Sequence, residues 1–161
     1  MDGKESGMMV MEIGGIHFSV FSDTPHLLEI HEPVYQPFIK QTKQQSVNTN
    51  INIHLVAGDI PAAGKPLKIF DSGQSWSMFR EGEGYLLVRR PQVFDSPVWA
   101  ARFDRDMEDI TVYCGDKVTS CPFRYPLDQI LLMYFLARRS GMVVHAAGME
   151  IAGKGIIFPG P

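Results

Sequence analysis

From residue 8 to residue 115 the chain never sustains a helical hydrophobic period; it breaks into short apolar runs, each closed by glycine, proline or an Asp/Ser turn. A chain patterned this way buries its apolar groups chiefly by laying strands side by side with one face turned inward. The first two runs, residues 8–13 and 16–21, flank Gly14-Gly15, a two-residue hairpin signal, and the second puts Ile16, Phe18 and Val20 opposite His17 and Ser19. Residues 50–55 alternate strictly, with Ile51, Ile53 and Leu55 on one face and Asn50, Asn52 and His54 on the other. Residues 67–70 form a further strand, residues 76–80 and 85–89 flank Glu81-Gly82-Glu83-Gly84, and residues 98–104 pair with 110–115. Successive antiparallel hairpins follow as the expected architecture.

The connections are equally legible. Asp23-Thr24-Pro25 starts a short helix, since proline suits an early helical position. Pro33 and Pro37 exclude continuous helix around Val34-Tyr35-Gln36, and residues 40–49, with three glutamines and two lysines, form an exposed loop without assigned chemistry.

After Cys121-Pro122 the period changes. Residues 126–139 open on a proline, carry Asp128 near the positive N-terminal end and Arg138 and Arg139 at the negative C-terminal end, and stop at Gly141. Leu127, Ile130, Leu131, Tyr134 and Phe135 form a stripe, and Leu132, Met133 and Leu136 widen it, which predicts a helix covered on more than one side, in part by a sheet begun at residues 142–144. The expected fold is α+β: β-rich, mostly antiparallel strands and hairpins, with one main buried helix over 126–139. The expected organisation is a β-rich region over 1–120 followed by a helix and strand hairpin over 121–161.

Composition excludes several classes. A formal net charge of -3 and the absence of a Lys/Arg cluster give no field for a nucleic-acid backbone, so no nucleic-acid partner is expected. The apolar run 130–137 is too short for a bilayer, and Met1-Asp2-Gly3-Lys4 does not begin a signal peptide, so no membrane partner and a cytoplasmic location are expected. The spacing of Cys114 and Cys121 fits neither a metal knuckle nor a redox motif, which leaves two reduced thiols. Asp104, Asp106, Glu108 and Asp109 are hard oxygen donors but lack the spacing and glycine of a calcium loop; they read as a solvated turn, and no residue is assigned to a metal. The glycines of Glu81-Gly82-Glu83-Gly84 read as a turn, because the glutamates beside them repel an anion.

The last stretch carries the most specific pattern. Arg138-Arg139 and Gly141 lead into Val143-Val144-His145-Ala146-Ala147-Gly148, then Gly153-Lys154-Gly155, then Ile156-Ile157-Phe158-Pro159-Gly160-Pro161. A strand emptying into glycine is how a phosphate-binding loop begins. This order resembles the approach to the Walker A loop in kinases related to HPr kinase/phosphorylase, which share the core fold of phosphoenolpyruvate carboxykinase. The motif match spans about residues 127–161, and the upstream strands are more loosely similar to the N-terminal part of such proteins. Ala146 departs from the glycine usual after the histidine in authentic HPr kinases, and their N-terminal regulatory domain is not matched, which points to a relative with another substrate.

The resemblance implies that residues 121–161 contain the first strands of a phosphoenolpyruvate carboxykinase-like nucleotide-binding core. It implies that Gly160 and Pro161 start a P-loop, and that His145, in an extended chain, supports the catalytic acid. Within residues 1–161 alone the favoured reading of His145 is instead a partly buried strand histidine satisfied by a backbone carbonyl, and Lys154 reads as a solvated turn residue. No cofactor is expected for residues 1–161 alone; ATP and Mg2+ are implied for an extended chain, with a protein or small-molecule phosphoryl acceptor as partner. The expected function is therefore the N-terminal part of an ATP-dependent kinase, inactive as residues 1–161 because the Walker lysine and hydroxyl residue are missing. Homo-oligomerisation through an uncovered sheet goes with that reading. The alternative is a non-catalytic β-rich module that binds a protein or peptide through a sheet edge.

Overall fold

The computed structural model describes residues 7–40, 51–61, 66–73, 75–91, 93 and 96–160. The expected loop over 40–49 lies, apart from Lys40, outside the described residues, as do Asn50 and Pro161. The fold is α+β and β-rich, with mostly antiparallel strands and one α-helix among the described residues. The chain divides into two compact units, Met1–Arg124 and Tyr125–Pro161.

The first unit is built on a nine-stranded sheet. Strands β1 (Gly7–Ile13) and β2 (Ile16–Ser22) form the first hairpin, closed by Gly14 and Gly15 at φ 60° and 80°, a turn geometry open to glycine and costly for other residues. The segment beginning at Pro25 makes a 3-10 turn, Pro25–Leu28, and a second 3-10 turn forms at Pro33–Phe38 before the two-residue strand β3 (Ile39–Lys40). Proline at the start of each turn and the lack of a side-chain cap keep both short.

Strands β4 (Ile51–Ala57), β5 (Leu67–Asp71), β6 (Trp76–Glu81), β7 (Gly84–Arg89), β8 (Trp99–Phe103) and β9 (Asp109–Cys114) complete the sheet in the order β3-β1-β2-β4-β9-β8-β7-β6-β5. From β5 to β9 each strand pairs antiparallel with the next in sequence, as the hairpin signals predict. The middle of the sheet departs from that expectation: β4 lies parallel to both β2 and β9. The two 3-10 turns and β3 separate β2 from β4, a connection long enough for a crossover.

One face of the sheet is the core. Val20 pairs with Ile53, Ile53 with Ile110 and Ile110 with Phe103, and all four are buried, so a single apolar row crosses four strands. Phe123, fully buried, caps this face with its ring 4.8 Å from that of Phe18, and the Cys121 N–H donates to the Glu29 carbonyl at 2.9 Å to hold the segment there. Burying an aromatic of this size contributes about 2–3 kcal/mol. The opposite face is mixed: Asn52 is half-buried and His54 exposed, while Arg102 pairs with Glu81 at 2.8 Å and lies over the Tyr113 ring.

The second unit holds α1 (Leu127–Ala137) and the hairpin of β10 (Ala146–Ile151) and β11 (Lys154–Pro159). Leu127, Ile130, Leu131 and Phe135 are buried, but Met133 and Tyr134 are 53% and 38% exposed, so the apolar stripe is narrower than the sequence predicts. Tyr134 tolerates this exposure because its ring carries a polar hydroxyl. Residues 142–145 are not a strand: the ladder ends at the pair Ala146–Pro159, where proline has no N–H with which to extend it.

Candidate functional site

Two places in the molecule bear on function, one in each unit. In the second unit, β10 and β11 pair in strict register from Ile151–Lys154 to Ala146–Pro159, and Ala152 and Gly153 turn the chain at φ 51° and 74°. His145 and Gly160 immediately extend the last pair, so the hairpin brings these two sequence-predicted residues to the same end. His145 is exposed and precedes β10 rather than lying within it, and a side chain added at Gly160 would meet no atom within 4 Å. Pro161 lies outside the described residues.

Lys154 is at the opposite end. Five residue steps along the strand separate it from Pro159, a distance of about 16 Å at the usual rise of a strand. The spacing Gly148-x-x-x-x-Gly153-Lys154 matches part of a P-loop pattern, yet it falls on a β-hairpin with Gly155 where a Ser or Thr is required. Residues 1–161 thus contain a strand leading to Gly160 but not the lysine and hydroxyl donors that hold Mg2+ and ATP, and the residues present do not fit that cofactor.

The first unit carries a cleft of about 800 Å³ at one end of the sheet. The chain leaving β4, at Gly58, Asp59 and Ile60, forms one wall with the chain leaving β9, at Gly115, Asp116 and Lys117. Trp76 and Phe79 of β6 and Leu86 and Val88 of β7 supply the apolar lining. Phe79 pairs with Leu86 and Ser77 with Val88, so these four side chains share the sheet face opposite the core.

Polar groups hold this lining in place. Lys68 Nζ donates to Asp71 Oδ2 at 2.7 Å and lies 5.9 Å from the centre of the Phe79 ring. Asp71 Oδ1 accepts from the Gly73 N–H at 2.9 Å, and the Lys68 hydrogen bond, followed by that of Gly73, holds the Asp71 carboxyl below its usual range. Phe70 stacks on Trp76 with ring centres 4.7 Å apart. The Trp76 indole Nε1 is buried and, among the described residues, is a side-chain donor without a hydrogen-bond partner. An unanswered buried donor costs about 1–3 kcal/mol.

Among the described residues the lining of the cleft carries serines, aspartates and basic side chains but neither histidine nor cysteine. Sequence reasoning assigned residues 76–80 to a hairpin and missed the cleft, because its walls come from segments more than fifty positions apart, such as Asp59 and Asp116. The one local signal was an aromatic on each face of the same short strand.

The acidic run reads as structure. Asp104 Oδ1 accepts from the Glu108 N–H at 2.9 Å and the Asp109 N–H at 3.2 Å, and Asp109 accepts from Asn52 Nδ2 at 2.9 Å. These bonds close the β8–β9 turn, in which Met107 is buried at φ 58°. No helix among the described residues is long and apolar enough to cross a membrane. No protein-family model, curated protein or solved structure matches this chain.

Proposed function

We propose that the chain is the N-terminal part of an ATP-dependent kinase related to HPr kinase/phosphorylase, and that β10 and β11 belong to a nucleotide-binding core like that of phosphoenolpyruvate carboxykinase. The observation that carries this reading is β11 itself. Ile156, Ile157 and Phe158 are consecutive apolar residues, 40%, 66% and 54% exposed, in a strand paired on one side only. A continuous apolar run presents hydrophobic groups on both faces, which is the pattern of a central strand covered on each side rather than of a surface hairpin. The run ends at Gly160, and α1, His145 and the Gly153 turn precede it in the order that the resemblance requires.

On this reading His145, beside the start of the phosphate loop, supports proton transfer in the extended protein, a role suited to imidazole. The acceptor is a protein or a small molecule, the protein acts in the cytoplasm, and ATP and Mg2+ enter only with the residues that follow Gly160-Pro161.

The test is the native reading frame beyond codon 161. Continuation as Ser-Gly-x-Gly-Lys followed by Ser or Thr is expected, with magnesium-dependent ATP binding by the longer polypeptide and none by residues 1–161. An immediate stop, or phosphoryl transfer by residues 1–161, overturns the proposal. A second reading, a β-rich module that takes up an extended peptide, is favoured by β5: it is an edge strand, and its Leu67, Ile69 and Phe70 are 68%, 43% and 50% exposed.

A further inference from the structure

We draw no further inference here: the strongest candidate, the cleft where the chain leaving β4 meets the chain leaving β9 in the first unit, carries none, because acidic, basic and apolar side chains stand together in its lining and nothing in the structure shows what fills it.

Discussion

Cys114 and Cys121 are both buried and unpaired, and burial pushes their thiols up from 9.0 to about 12 and about 11. A buried thiolate is disfavoured, so the folded chain binds these protons more tightly than the unfolded chain does. The stability this contributes is complete below pH 9 and is lost as pH rises towards 11 and 12. The urea midpoint is therefore expected to fall across that window, and to fall less in a Cys114→Ala, Cys121→Ala double variant. Iodoacetamide at pH 8 is expected to modify neither thiol until denaturant is added, which mass spectrometry reads directly. Gly84 makes a second prediction at this scale. A Cβ there would lie 2.2 Å from the Phe103 carbonyl oxygen on the neighbouring strand, whereas Gly82, at φ 60°, faces open space. Gly84→Ala is expected to cost roughly 2–3 kcal/mol and Gly82→Ala about 1 kcal/mol in urea unfolding, because only the first forces backbone to move.

Individual elements were legible where they depend on neighbours in sequence. The Gly14-Gly15 turn, the strict alternation of Ile51, Ile53 and Leu55, and the Glu81–Gly84 turn each state their structure within a few residues. What sequence could not state was which strand lies beside β4, since that choice is made by the packing of remote apolar rows. Ser19 shows the same limit: alternation places it on the polar face, yet it is 1% exposed. Likewise the cleft was invisible because no local pattern encodes the meeting of two loops. The β10–β11 hairpin carries a prediction of its own. Met149, Ile151, Ile156, Ile157 and Phe158 are 40–66% exposed on a hairpin with two unpaired edges, which makes self-association the expected behaviour of residues 1–161. Sedimentation should show an average mass that rises with concentration, and Ile157→Lys should reduce the rise. A wild-type chain that stays monomeric at high concentration contradicts this.

At the scale of the whole molecule, the sheet of the first unit is two locally connected halves joined through one strand. β1, β2 and the short β3 form one half, β5 to β9 the other, and β4 stands between β2 and β9. Its pairing joins Asn52 to Asp109, 57 positions apart, whereas each hairpin closes over a few residues. Closing the larger loop costs chain entropy before any contact repays it, so the hairpins form early and β4 docks late. Until it does, β2 and β9 are each an open edge, and the rows destined for the interior face water. The parallel strand at the centre is thus expected to set the pace of folding, and the interval before it docks is when a crowded cell would have its chance to aggregate the chain.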